Sequence, residues 1–563
     1  MKSRNLRLLL PAFLLLLATT PTFPDTGPSV WGNRPLVHTV YGLLLGRADG
    51  GKTWCWRGVP YARPPVGPLR WKAPADPEPW EGIRKARRFG PHASQILPVL
   101  GEIGSEDCLY LNIWRPRTRE TGLPVYVFIH GGGNSIGSGS SPGYQGQEVA
   151  GRSRMVYLTL NYRLGVMGWF RYPGFNSGGT PEDRSGNYGT LDLIQALHWI
   201  HENIAAFGGD PGNVTIAGES GGAMDVMSLL TSPEAKGLFH HAVSESGLAV
   251  MRTPHEAELA SRSLLKRLMV SDGKAADTLE AEKLIAEMPV SDIEAYFRSK
   301  TPHELMKQVP TMVGGMAWWP NVYADGTVLP KAGYAVFADG SWANKIPLLI
   351  GVNHDEAKLF RLLLRNPKPG SGDYQMMSRY ESLLWRIRGL DTLATAIASH
   401  AGAPPVYAYR FDWGKVEADG TSVLPGDRGA IVGACHASEI PFFLGKRTNE
   451  LALITGNTFT RANRPGRIKL TNLCLNYLAN FARTGNPNAQ GLPEWPTWEN
   501  GPAKKKLIIL DAGFNDLRIT YGTDQLTFTD LIGKVRAELT GRERERVLKS
   551  LNAMSIFRPE DKR

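Results

Sequence analysis

The chain predicts an α/β fold, a large and mostly parallel sheet with helices on both faces and helical insertions. Three observations carry this reading. Short apolar runs alternate with longer stretches of helical period, those runs stop at glycine or polar residues, and no repeat or low-complexity linker divides the 563 residues.

Residues 124–130 (PVYVFIH) form a compact apolar run that ends at three glycines, as a buried central strand does when it enters a loop. A second strand is predicted at 155–163 (MVYLTLNYR). Leu191, Ile194, Leu197, Ile200 and Ile204 then recur at helical spacing until Gly208 and Gly209 end the segment. A third strand at 214–218 (VTIAG) follows, with a helical pattern beginning near Gly222. Later strands are predicted at 347–353 (PLLIGVN), 406–413 (VYAYRFDW) and 507–511 (LIILD), and a helix over 468–484 ends at Gly485-Asn486-Pro487. The charged, largely helical stretch 253–299 reads as an insertion of the kind that caps or lines a site.

Bulk composition narrows the function classes. With 42% apolar and 21% charged residues the chain buries a sizeable core, which excludes disordered and fibrous proteins. Lys2, Arg4 and Arg7 precede an apolar run over 8–18 that is too short to span a bilayer, so residues 1–26 read as an export signal. Residues 27–563 then form a single exported domain, periplasmic or secreted, with no stable membrane span once the signal is removed. Cys55, Cys108, Cys435 and Cys474 are too few for a disulfide scaffold and lack C-x-x-C spacing, so neither a metal site nor a thioredoxin-like motif is predicted. The net charge of +11 comes from dispersed Lys and Arg with no recognition motif, which argues against a nucleic-acid partner.

Gly218-Glu219-Ser220-Gly221-Gly222 matches G-x-S-x-G between a predicted strand and a predicted helix. Five residues flanked by glycine also fit an ordinary tight turn. The strand before and the helix after favour a nucleophile elbow, in which a sharp turn exposes the Ser220 hydroxyl and small neighbours let the backbone pass close. His130-Gly131-Gly132-Gly133 supplies the other half, because glycine amides approach a reacting carbonyl with no Cβ in the way. The amides of Gly132, Gly133 and Gly221 are therefore the expected oxyanion hole. A serine hydroxyl also needs an imidazole to take its proton and an acid to orient that imidazole, in the chain order Ser, Asp or Glu, His. His436 is the best base, standing in the small-residue loop Gly433-Ala434-Cys435-His436. Asp355 and Glu356 both follow the 347–353 strand at its carboxyl end, and residue type alone leaves the choice between them open.

These residues resemble one family closely, the type-B carboxylesterases, which also include cholinesterases and the catalytically silent neuroligin adhesion proteins. The resemblance runs from about Trp56 to about Leu510. It is carried by GVPYARPPVGPLRW (58–71), EDCLYLNIWRP (106–116), GNYGTLDLIQALHWIHENIAAFGGDPGNVTIAGES (186–220), GVNHDEAKLF (351–360), GACHASEIPFFLG (433–445) and FARTGNPN (481–488). It implies an α/β-hydrolase fold, selects Glu356 as the triad acid with His436 as base, places Glu219 in the lining of the active-site gorge, and makes Ser246 a supporting hydroxyl behind the triad.

Departures from the family pattern limit what carries over. Gly221 stands where the elbow usually has alanine, and Asn134 follows the glycine triplet where an aromatic is common. The first cysteine of the family's early disulfide aligns with Ala93, so Cys108 lacks its usual partner. The stretch 94–107 has no tryptophan to bind a quaternary ammonium, which argues against choline esters. Trp318 and Trp319 occupy a region that lines the acyl pocket in relatives. The implied activity is hydrolysis of small-molecule carboxylic esters through an acyl-enzyme, with no cofactor or metal. Asn134 beside the oxyanion hole, with the positive net charge, suggests an anionic or oxygen-rich ester. The other functions this fold hosts are a neuroligin-like binding protein, which typically lacks the nucleophile that Ser220 supplies here, and an acyltransferase, amidase or lactonase.

Overall fold

In the computed structural model, residues 34–97, 100–449 and 451–553 are described, so the predicted signal over 1–26 lies outside them. Eleven strands form the main sheet: β1 (Arg47–Asp49), β2 (Thr53–Pro60), β3 (Tyr110–Pro116), β4 (Leu123–Ile129), β5 (Val156–Leu160), β6 (Gly209–Glu219), β7 (His241–Glu245), β8 (Leu348–Asn353), β9 (Val406–Phe411), β10 (Leu507–Leu510) and β11 (Thr520–Gly522). Their order is β11-β10-β9-β8-β7-β6-β4-β5-β3-β2-β1. The seven strands from β10 to β5 pair in parallel, while β3, β2, β1 and β11 add antiparallel edges.

Period-2 alternation divides the core between the two faces of this sheet. Val125, Val127 and Ile129 of β4 point into one buried cluster, and Tyr126 and Phe128 into the other. Strand β5 repeats the pattern, with Val156, Leu158 and Leu160 on the first face and Tyr157 on the second. Each strand is apolar on both sides because helices cover both faces. The helices Tyr188–Asn203 and Arg464–Thr484 are the long covering elements, the first contributing Leu193 and Trp199 to one cluster and the second Leu470 and Phe481 to the other.

The predicted insertion over 253–299 forms three helices, Pro254–Ser271, Thr278–Glu287 and Val290–Arg298. Thr253 starts the first through a reciprocal capping box with Glu256, and Asp277 caps the second. At the carboxyl end of the chain, helices Phe528–Glu538 and Gly541–Ala553 bury Leu531, Val535, Val547 and Leu551 against Tyr380 and Leu384 of helix Gly372–Arg386. Each such side chain contributes of order 1.5–3 kcal/mol. All four cysteines are buried free thiols, so Cys108 has no disulfide partner. No described helix is long and apolar enough to cross a membrane.

Candidate active site

Strand β6 runs into helix Gly221–Thr231 through Ser220, whose φ of 57° and ψ of −119° put it in a conformation that L-residues rarely hold. The surroundings enforce it. Ser220 N–H donates to the Glu245 carbonyl at 2.9 Å, tying the turn to the end of β7. A Cβ on Gly218 would come within 2.4 Å of the Gly222 backbone, and one on Gly222 within 2.1 Å of the Ile129 carbonyl, so both flanking positions must be glycine.

The glycine loop after β4 lies directly on this elbow. A Cβ on Gly131 would meet Glu219 Oε2 at 2.7 Å and Ser220 Cβ at 3.0 Å. Gly132, at φ 108°, leaves no room for a side chain against the Ile136 carbonyl. Asn134 has φ 55°, a left-handed conformation that asparagine tolerates better than an aromatic. Its side chain does not enter the cavity described below. It is fully buried, donating from Nδ2 to Asp225 Oδ1 at 3.0 Å and accepting from the Tyr162 hydroxyl at 2.9 Å. Close approach also accounts for Gly221: a Cβ there would lie 2.9 Å from Asn134 N, 3.0 Å from Gly133 N and 3.2 Å from Asn134 Oδ1.

Glu356 and His436 reach the site from the carboxyl ends of β8 and β9. Glu356 is fully buried, accepts from Asn353 N–H at 2.8 Å through Oε1, and holds His436 Nδ1 at 2.6 Å through Oε2. Its neighbour Asp355 faces elsewhere, toward His354 and Lys358 at 3.2 Å each, and accepts from Ala434 N–H at 3.1 Å. Asp355 thus pins the histidine loop from outside while Glu356 touches the imidazole. The ring of His436 packs against Trp385 and Phe360, with centroids 4.8 and 5.0 Å away. Its Nε2 lies 3.0 Å from Glu219 Oε1 and makes no hydrogen bond to Ser220. Catalytic hydrogen bonds often tighten only when substrate arrives, and here a carboxylate competes for the same ring edge. Ser246, at φ 55°, donates from Oγ to Glu439 Oε1 at 2.8 Å, and Glu439 also accepts from Asn353 Nδ2.

The electrostatics follow from three buried carboxyls around one imidazole, with a fourth, Glu245, beside two of them. Burial lowers the pKa of His436, but the carboxylates of Glu219 and Glu356 outweigh it and hold the group up at about 9. Burial pushes Glu219 up to about 8, opposed by His436 and reinforced by Glu439 and Glu356. Burial and the charge of Glu356 likewise raise Glu439 to about 7. Glu245, fully buried with neither carboxyl oxygen bonded to protein, is driven well above the ordinary glutamate range. Asp225 is pushed up to about 8 by burial, so it is largely neutral at pH 7 while it accepts from Asn134.

Ser220, Gly221 and Gly133 open onto a cavity of about 200 Å³ walled by Met316, Trp318, Trp319, Phe360 and Trp385. Trp319 is nearly buried, donating its indole N–H to the Trp169 carbonyl and stacking over Phe170. Both predicted tryptophans therefore line the cavity, as does Ser246, whereas Asn134 and Glu219 lie behind its wall. The helical insertion stays outside, and the lining comes instead from segments on either side of it, 248–252 and 312–321. Sequence reasoning missed Asn353, Asp225, Glu439, Phe360 and Trp385. Asn353, Phe360 and Glu439 stand inside the family-like stretches 351–360 and 433–445 without a motif of their own, and Asp225 and Trp385 carry no local signal. Among the described residues no group of His, Cys, Asp or Glu is placed to hold a metal ion.

A serine on a strained strand-to-helix turn, a glycine loop at its side and a carboxylate-bound histidine on one parallel sheet define an α/β-hydrolase. The sequence matches the Carboxylesterase family over residues 33–390 and 388–528. It is 34% identical over 514 residues to the para-nitrobenzyl esterase of Bacillus subtilis (strain 168), covering 85% of this chain and 95% of that protein. It is 32% identical to carboxylesterase 1D of Rattus norvegicus, covering 84% and 89%. Among solved structures, a Geobacillus stearothermophilus carboxylesterase aligns at a TM-score of 0.66 with 31% identity over 89% of this chain and 99% of that one. The chain belongs to the carboxylesterase family, and its activity is carboxylic-ester hydrolysis.

Proposed function

We propose that Ser220, His436 and Glu356 carry this hydrolysis by two-step acyl transfer. Ser220 Oγ attacks the ester carbonyl as its proton passes to His436 Nε2, and Glu356 stabilises the imidazolium through Nδ1. The oxyanion is held by the amides of Gly132, Gly133 and Gly221. The tetrahedral intermediate collapses, His436 returns the proton to the leaving alcohol, and an acyl-Ser220 ester remains. Water, deprotonated by the same imidazole, releases the acid. For the first transfer the imidazole must exchange Glu219 for Ser220, so Glu219 holds the base at rest. Trp318 and Trp319 would face the substrate, and Ser246 would steady the triad through Glu439.

The observation that carries this reading is the 2.6 Å contact between His436 Nδ1 and Glu356 beside a serine locked at φ 57°. A panel of short p-nitrophenyl, polycarboxylic and choline esters tests it. Wild type is expected to hydrolyse short esters, and Ser220→Ala to lose at least about 10³-fold in kcat. Full turnover by Ser220→Ala, or none by wild type, would overturn it. The basic residues before the apolar run at 8–18 further support export, testable by fractionating cells that express the full chain.

A further inference from the structure

Two charged side chains line the cavity that Ser220 opens onto, and both are arginines, Arg252 and Arg388. No carboxylate lines it among the described residues, although those of Glu219, Glu356 and Glu439 sit behind the wall around His436. The site thus keeps its negative charge beneath the imidazole and presents positive charge to the substrate.

The two arginines are fixed by backbone. Arg252 is bracketed by hydrogen bonds, its N–H to the Val322 carbonyl and its carbonyl from Ala324 N–H, each 2.9 Å. That pairing ties it to the segment that follows Trp318 and Trp319. Its guanidinium stands 3.5 Å from Glu256 and is about a third exposed, close enough to solvent to exchange that partner for a ligand. Arg388 comes from a different segment of the lining. It lies in a π-helical turn, Ile387–Asp391, that continues helix Gly372–Arg386 directly after Trp385. Such turns are rare and recur at functional sites. This one is pressed onto the end of β7: Trp385 donates its indole N–H to the Ser246 carbonyl at 3.1 Å, and a Cβ on Gly389 would lie 2.2 Å from the Gly247 carbonyl. Arg388 therefore follows, within one turn, the tryptophan that packs on the catalytic imidazole.

We propose that Arg252 and Arg388 select esters that carry a carboxylate remote from the scissile carbonyl. The inference rests on Ser220 acting in this cavity, and it moves anion recognition from Asn134, which is spent on Asp225 and Tyr162, to these two arginines. The net charge of +11 adds long-range attraction for the same substrates. Planar guanidinium groups suit carboxylates because they offer parallel N–H donors.

Two matched pairs test the proposal, one for each side of the ester bond. p-Nitrophenyl hemisuccinate is compared with p-nitrophenyl butyrate, and the butyrate ester of 4-hydroxybenzoate with that of 4-hydroxybenzamide. In at least one pair the anionic member is expected to lead in kcat/KM by about tenfold, through KM, with the lead shrinking as NaCl is raised. Arg252→Gln/Arg388→Gln should cut the anionic-to-neutral ratio by about the same factor. Ratios near one in both pairs, or a ratio that the double variant leaves in place, would overturn the proposal while leaving ester hydrolysis intact. Failure to hydrolyse the neutral esters as well would instead remove the catalytic reading, and this inference with it.

Discussion

Replacing Gly221 by alanine probes the most crowded point of the site. The new methyl would meet Asn134 N at 2.9 Å and Gly133 N at 3.0 Å, where ordinary contact begins at 3.4 Å. Those neighbours are backbone, so the glycine loop itself has to retreat, by about 0.5 Å. Loss of a whole oxyanion donor lowers kcat by roughly 10²–10³-fold, and a misplacement of about 1 Å by roughly 10²-fold. Half that displacement gives a fall in kcat of about tenfold, or ~1.4 kcal/mol of transition-state stabilisation. KM should move much less, because the oxyanion amides serve the transition state more than the bound ester. The assay is steady-state hydrolysis of p-nitrophenyl butyrate, with inhibition by an uncharged phosphonate transition-state analogue as a second readout. Both kcat and analogue affinity are expected to fall together. A kcat within twofold of wild type, with unchanged analogue affinity, would show that the glycine loop displaced at Gly133 does not hold the oxyanion and would refute the reasoning.

Three further outcomes follow from the buried polar groups. The general base must be neutral, and Glu219 and Glu356 hold His436 up at about 9, so kcat/KM should climb with pH through a midpoint well above 6.5; Glu219→Gln should bring that midpoint down by about one unit, and an unmoved midpoint would contradict the pairing. Asp225→Ala leaves the buried amide of Asn134 without its acceptor and should cost roughly 1–3 kcal/mol in urea unfolding, whereas Asp225→Asn, which matches the largely neutral acid in shape, should cost less. Glu245 binds a proton in the folded chain that the unfolded chain releases above 4.5, so its contribution is present below that value and is lost as pH rises toward the folded value. Glu245→Gln should therefore flatten the decline of stability with pH above 4.5, by up to ~1.4 kcal/mol per pH unit, as read from unfolding midpoints across a pH series.

Much of the fold was legible because buried parallel strands write themselves as continuous apolar runs. Strand β4 was predicted at 124–130 and found at Leu123–Ile129, and β8 was predicted at 347–353 and found at Leu348–Asn353. The antiparallel edge was not: β2 and β3 carry Arg57, Asn112 and Arg115 among their apolar residues, and pairing rather than pattern makes them strands. At the site, Ser220, the glycine loop and His436 announce themselves by motif and chain order, whereas the choice of Glu356 over Asp355 came only with the family resemblance; in the structure Glu356, not Asp355, touches His436. The contact between His436 and Glu219 could not be read, since it depends on which way a ring edge turns in three dimensions. The polar character of Asn134 was plain in the sequence while its direction was not, because Asp225 sits 91 residues away. Arg252 and Arg388 lacked any local signal, and only folding brings their loop and helix turn to one cavity.

The account turns on acyl transfer to one hydroxyl, and intact-mass analysis after treatment with an uncharged p-nitrophenyl phosphonate measures that directly. One equivalent should attach, mapping to Ser220 in the peptide that contains 218–222, with activity lost in proportion and no adduct on Ser220→Ala. Esterase activity that survives full labelling, or an adduct mapping to another residue, would contradict it.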